Sequence, residues 1–296
     1  TNPNTHQEQD YPEYKDYQTG FRLGGPIMKN KLFFFVSGEI TRQKTPLAFI
    51  PGTPESNVTL AEIQAVESTL ATIAPGYDPG EYINISDETN SDKILAKIDW
   101  NINDKHKLSI RHSYTFGEQI DNSRNANQVR FYNNGLYFPS KTNSTGIELN
   151  SIFGTKYSNR LLIGYTQVRD DRDPLANPFP FTTVNIGSGR SIVFGSENSS
   201  VANQLDQDNF TLTDDFTIFK GKHIISVGTH NEFYKFYNIF VQNIYGNYGF
   251  PSLANFQSQA TGSPIAPSFY QIGYSFDGTD DPSQSKGAAD FSAFRS

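Results

Sequence analysis

One pattern constrains this chain more than any other. Segments that alternate polar and apolar residues come in pairs, each pair is joined by a short turn, and long segments separate the pairs. Across 93–102, Ile94, Ala96, Ile98, Trp100 and Ile102 alternate with Lys93, Leu95, Lys97, Asp99 and Asn101, the period of a strand with one apolar and one mostly polar face. Asn103-Asp104-Lys105-His106 reads as a four-residue turn. Leu108, Ile110, Tyr114 and Phe116 then alternate with Lys107, Ser109, Arg111, Ser113 and Thr115. Three further hairpins follow the same plan, turning near Met28-Lys29-Asn30, at Tyr157-Ser158-Asn159-Arg160 and at Lys220-Gly221-Lys222. Asp214 breaks the apolar face and Ile152 the polar one; the reading yields eight strands.

The connections between pairs cover roughly 42–91, 117–145, 171–207 and 238–268. Compact soluble domains rarely hold even one unstructured loop beyond about 15 residues, so four in a row count against a soluble sandwich. A transmembrane β-barrel has this asymmetry by construction, with short turns on the periplasmic side and long loops outside. A strand of about ten residues, rising about 3.3 Å each and tilted near 40°, covers the apolar band of about 25 Å. One segment reads as a helix: Leu60, Ile63, Val66, Leu70 and Ile73 recur at helical spacing, and Pro75-Gly76 ends the run.

Composition removes several function classes. Lys plus Arg number 24 against 31 Asp plus Glu, a net charge of −7, so no basic field exists to hold nucleic acid. The longest apolar run, 32–36, is far short of the roughly 20 residues a membrane-crossing helix needs, which leaves only strands as spanning elements. With no cysteine, thiolate catalysis, disulfides and zinc-thiolate sites are excluded. No Ser-His-Asp arrangement can be placed and GxSxG is absent. Gly187, Gly189 and Gly195 lack a Walker lysine, so a phosphate cradle is not expected. Two acidic groups, Asp170-Asp171-Asp173 and Asp277-Asp280-Asp281, could meet a hard cation but lack ordered ligand spacing and read as solvated rims. His6, His106, His112, His223 and His230 show no metal-type clustering. Phe131-Tyr132, Tyr137-Phe138 and 179–181 could grip a sugar or peptide, but interfacial girdle or loop packing is the favoured reading. The residues thus nominate no catalytic, cofactor or metal site, and the chain is read as no enzyme.

The run Phe21-Arg22-Leu23-Gly24-Gly25-Pro26-Ile27-Met28-Lys29-Asn30-Lys31-Leu32-Phe33-Phe34-Phe35 resembles a stretch of TonB-dependent outer-membrane receptors of the Oar-like, Bacteroidetes-type group. Leu95-Ala96-Lys97-Ile98-Asp99-Trp100-Asn101, Gly164-Tyr165-Thr166 with Arg169-Asp170-Asp171-Arg172, and Asn231-Glu232-Phe233-Tyr234-Lys235-Phe236-Tyr237-Asn238 resemble the same family. The resemblance implies a many-stranded barrel of the outer membrane, plugged by a separate N-terminal domain, that imports a nutrient with energy relayed by TonB. No TonB box or plug matches here. Such barrels have about 22 strands, so residues 1–296 read as an internal fragment of one barrel domain, starting shortly after the plug and ending, at 288–296, in a further strand.

The expected fold is therefore all-β: a partial transmembrane antiparallel barrel, an open curved meander of about 8–11 strands, with long extracellular loops and one short loop helix. Phe34, Val36, Ile98, Trp100, Leu108 and Ile110 are expected to face lipid, and Glu39, Lys97, Asp99 and Arg111 the lumen. Gly20, Gly24, Gly154, Gly164 and Gly228 are expected within strands. Expected partners are the outer-membrane bilayer, the TonB complex through the absent plug, and a nutrient ligand of unknown identity. The alternative is a secreted soluble β-rich binding or adhesion module, whose sheets would pack apolar face to apolar face.

Overall fold

The structure, a computed structural model, describes residues 14–273. In chain order its elements are β1 (Lys15–Met28), β2 (Leu32–Pro46), α1 (Leu60–Ile73), β3 (Ser86–Asn103), β4 (His106–Asp121), β5 (Gln128–Arg130), β6 (Leu136–Phe153), β7 (Tyr157–Asp171), β8 (Asp173–Pro174), β9 (Phe181–Gly187), β10 (Arg190–Phe194), β11 (Asn203–Lys220), β12 (His223–Phe240), β13 (Asn247–Phe250), α2 (Leu253–Gln257) and β14 (Phe269–Gln271). Eight long strands form an antiparallel sheet in the order β1-β2-β3-β4-β6-β7-β11-β12, with β8 added against β6. β1 and β12 are its two edges and do not pair with each other, so the sheet is open.

Register sorts the side chains onto two faces, because a residue and its cross-strand partner point the same way. Phe34, Ile98, Ile110, Ile147, Ile163 and Leu212 share one row. The neighbouring row, on the opposite face, holds Phe35, Lys97, Arg111, Gly146, Gly164, Thr211 and Glu232. The faces are those the alternation implied, and Phe33 and Phe35 add aromatic rings to the polar one. No second layer covers the apolar face among the described residues: Ile98 stays 38% and Trp100 40% exposed. His112 sits on this face and bonds Thr145 Oγ1 at 2.9 Å, and Asp214 accepts from Asn159 at 2.7 Å, so both exceptions are satisfied in place.

The strands, 14 to 18 residues long, exceed the length needed for an apolar band alone. Beyond the band the same face turns ionic: Arg42 pairs with Asp92 at 2.7 Å, Lys44 with Glu88 at 2.8 Å and Arg169 with Asp208 at 2.7 Å. With polar residues on both faces the periodic signal vanishes, which is why these ends read as loop. Two turns also differ from expectation. Asp104 and Lys105 alone join β3 to β4, and Asn103 Oδ1 accepts the backbone N–H groups of Lys105 and His106. The β6–β7 turn lies at 154–156 rather than at Tyr157–Arg160, because Gly154 adopts φ +66°; Gly154 is therefore a turn residue and not a strand residue. Gly20, Gly24, Gly164 and Gly228 do lie within strands.

The long connections are not unstructured loops. All lie at the end of the sheet opposite the tight turns, and β5, β9, β10, β13 and β14 leave them to form a second, mixed sheet ordered β14-β13-β9-β10-β5. α1 and the unexpected second helix α2 pack on it. Ile63, Val66 and Leu70 of α1 are buried with Val129, Phe131, Val184, Ile192, Phe194, Phe250 and Phe256, the largest apolar core of the described residues. α1 begins with a capping box, Thr59 accepting from Glu62 N–H while the Glu62 carboxylate accepts from Thr59 N–H. Arg190 pins that corner, donating to Asn57 O at 2.7 Å and pairing with Glu62 at 3.0 Å. Gly195, at φ +87°, runs so close to Pro180 O that any Cβ would overlap it. This cap replaces the four floppy connections the sequence reading required. Its strands were missed because runs as short as Ile192-Val193-Phe194 carry no legible period.

The cap core makes a separable unit of stability. Phe194→Ala in the complete protein is expected to destabilise the cap by about 3–5 kcal/mol. Hydrogen exchange should then quicken in β5, β10 and α1 while the β1–β12 ladder keeps its protection.

Candidate functional site

The polar face of the long sheet is a wall of paired charge. Lys93 meets Glu39 at 2.8 Å, Lys97 meets Asp99 at 2.8 Å, and Arg160 meets Glu148 at 3.1 Å. Exposed pairs of this kind contribute only about 0–1 kcal/mol each. Their consequence is a hydrophilic surface with no large field of one sign.

Where the long sheet meets the cap, the end of the ladder and the loop segments border two polar hollows, the larger on the side of the apolar face and the smaller on the side of the polar face. The larger, about 770 Å³, is lined by Lys44, Glu67, Asp78, Glu81, Glu88 and Tyr132. Burial, helped by the Asp78 carboxylate, pushes the Glu67 carboxyl above its usual range, and burial beside Glu88 pushes the Tyr132 phenol up. The smaller, about 170 Å³, is bounded by Asp121, Asn122, Arg130, Asn134, Leu136 and Glu197. Asp121 and Leu136 face each other on the last rung of β4 and β6. Asp87 accepts the Asn122 backbone N–H at 2.8 Å; burial nevertheless raises its carboxyl. Arg124, pulled down to about 10 by burial, donates to the carbonyls of Tyr82 and Arg130 and so ties the two hollows together. Tyr77, pushed up to about 12 by burial, stacks on Phe179 with centroids 3.6 Å apart and accepts the Gly195 N–H.

Of the acidic groups singled out in the sequence, the described one does not assemble a site. Asp170 and Asp171 project from opposite faces of β7, and Asp173 pairs opposite Tyr137 in β8. Among the described residues no group of three His, Asp or Glu is placed to hold a metal. Asp277, Asp280 and Asp281 lie outside the described residues, as does His6. His106 bonds Ser151, and His230 bonds Thr213 and Glu232. Gly187 and Gly189 flank Ser188 in the β9–β10 hairpin. Phe131 and Phe179 serve loop packing: Phe131 is fully buried in the cap, and Phe179 packs against that core. Arg172 lies over the Phe138 ring at 4.2 Å. Asn122 and Arg130, which line the smaller hollow, were not singled out, because an Asn after a strand and an isolated Arg have no sequence signature.

Residues 1–79 and 51–291 match the family described as the outer membrane beta barrel domain. Among solved structures, the chain is similar to the outer membrane transporter YddB from Escherichia coli, at 9% identity and a TM-score of 0.53, covering 81% of this chain and 28% of that one. It is also similar to the siderophore receptor PirA from Acinetobacter baumannii, at 14% identity and a TM-score of 0.45, covering 78% and 29%. The chain thus spans less than a third of the length of either. No curated protein matches the sequence.

The half-buried carboxyl at the foot of the cap generates a pH dependence. A raised folded-state pKa means that Asp87 holds its proton more firmly folded than unfolded. Its contribution to stability is present in acid and is lost as pH rises through the raised value. Asp87→Asn, which keeps an acceptor for the Asn122 N–H, should therefore raise the melting temperature of the complete protein more at about pH 7 than at about pH 4. An equal shift at both would place Asp87 in solvent.

Proposed function

This chain belongs to the outer-membrane β-barrel domain family and resides in the outer membrane, and on that premise we propose that it is part of a TonB-dependent receptor importing a nutrient ligand. One observation carries the reading: an open antiparallel meander with one apolar and one polar face, tight turns at one end and a folded cap at the other. A wall of this kind belongs in a closed barrel, because the free edges of β1 and β12 inside hydrocarbon would each leave unpaired backbone groups costing several kcal/mol apiece. We therefore read residues 1–296 as an internal stretch of a larger barrel whose further strands complete the ladder. The Oar-like affiliation and the TonB partner rest on the sequence motifs of β1 to β3, β7 and β12. A soluble sandwich finds no support, since among the described residues no second sheet covers the apolar face.

Deleting the gene should abolish energised uptake of the cognate nutrient, and collapsing the proton gradient should do the same. Uptake that survives both would end the import reading.

Two expectations test its geometry. Ile98→Arg in the complete receptor should cost about 2–4 kcal/mol in bilayer unfolding experiments, whereas Lys97→Arg on the opposite face should be nearly neutral. A cysteine at the exposed Gln64 position of α1 should react with an impermeant maleimide on intact cells. Labelling only after the outer membrane is opened would put the cap in the periplasm.

A further inference from the structure

The four tight turns carry a charge that the rest of the chain does not. Lys29 and Lys31 lie between β1 and β2, Lys105 and Lys107 at the β3–β4 turn, Lys156 at the β6–β7 turn, and Lys220 and Lys222 at the β11–β12 turn. Asp104 is the one acid among them. Seven of the chain's 24 Lys and Arg residues thus share this rim with one of its 31 Asp and Glu residues, although the net charge is −7. All seven lysines are exposed, and among the described residues no carboxylate lies within 4.0 Å of any of them. Asp99 and Glu148, on the same face as Lys107, are taken by Lys97 and Arg160.

The backbone holds these turns in one row. Lys31 O accepts from the Asn101 N–H, Lys105 O from that of Ile152 and Lys156 O from that of Phe219, each at 2.8 Å, so each of the first three turns abuts the next hairpin. Two strand spacings separate neighbouring turns, about 10 Å, close to the Debye length of about 8 Å at physiological salt, and their fields add. The apolar face runs down to this rim. Leu32, Trp100, Leu108, Leu149 and Leu161 form one row. Phe153, Tyr157, Ile218 and Ile225 form another beside the last two turns. Trp and Tyr at the end of an apolar band mark a membrane–water boundary. At the opposite end of the same face the cations are paired, as in Arg42–Asp92 and Arg169–Asp208; at the turns they are not. The edge of the apolar band and the unpaired ammonium groups therefore meet at the level of lipid headgroups.

This coincidence sorts the possible partners. A lysine joins an apolar stem to an ammonium with three donors, so it can lie along apolar surface and end beside a phosphate. An acidic protein would reach only the tips of the turns and make no use of the aromatic and aliphatic rows beside them. A lipid uses both. We propose that the seven turn lysines bind anionic phospholipid headgroups, of the phosphatidylglycerol and cardiolipin class, in the leaflet on the turn side of the membrane. About four to eight basic residues at a bilayer surface suffice to select such lipids. The proposal rests on the barrel reading only for which leaflet this is, the periplasmic one.

The test places the complete receptor in phosphatidylcholine vesicles and compares the association of spin-labelled phosphatidylglycerol and phosphatidylcholine by electron paramagnetic resonance. The native receptor should prefer phosphatidylglycerol by about twofold or more averaged over its lipid shell, given about fivefold for each lysine near an anionic headgroup. The preference should fall toward one in about 1 M salt, where the Debye length is about 3 Å. Replacing all seven lysines by glutamine should abolish it, whereas Lys93→Gln with Lys97→Gln, on the polar face away from the turns, should leave it unchanged. If the sevenfold variant fails to fold, substituting the four lysines of the first two turns, or the three of the last two, should each remove part of it. No preference in the native receptor, or one that the glutamine variants keep, would overturn the proposal. So would a photo-crosslinker at Thr155 that captures a protein in cells and no lipid. A cysteine at Thr155 should stay unlabelled by an impermeant maleimide on intact cells; labelling there would move the lysines to the outer leaflet and overturn the assignment. Lipid preference in a receptor that imports nothing would sustain this surface and remove the import reading; import without the preference would do the reverse.

Discussion

The backbone ladder from β1 to β12 is the constraint on which everything else depends. In-register antiparallel pairing makes each side chain share its face with its partners on neighbouring strands, so a single period-two pattern is propagated across eight strands without crossovers. From this follow the apolar face, the charged face and the segregation of tight turns to one end. A register slip of one residue in β3 would exchange Ile98 with Lys97 on the lipid side, and the cost of charge in hydrocarbon is what holds the register.

The ladder also explains why the strands outrun the apolar band. Beyond it, ion pairs such as Arg42–Asp92 and Arg169–Asp208 take over on the face that carries isoleucines nearer the turns. These outer rungs carry the barrel wall up into the cap, and there the chain changes its mode of stabilisation. The long sheet leaves its apolar face uncovered, whereas the cap buries its apolar residues in a packed core of its own. One chain therefore uses two solvents: lipid for the wall and its own interior for the loops.

At the junction of these regimes lie the polar hollows. The ladder ends at Asp121 and Leu136, the cap begins with β5, and the residues between are pulled in two directions. Asn122 is buried and Arg124 and Asp87 are half-buried there by the meeting of wall and cap, which is why their charges and hydrogen bonds are less well matched than elsewhere.

By itself the sequence determined the strand pairs, the two faces, the helix α1 and the family motifs, since each rests on contacts between residues near in sequence or on a period that one strand displays alone. Tyr157–Arg160 was misplaced as a turn because a glycine's positive φ, and not polarity, decides where a hairpin reverses. The tertiary structure alone decided the cap and the hollows. Arg190 and Glu62 are 128 residues apart, and the five cap strands come from three separate connections. No local period records such a meeting. Asn122 and Arg130 acquire their meaning only when β4, β5 and the 195–200 segment converge, because burial, and with it the demand for a hydrogen-bond partner, is a property of the assembled fold.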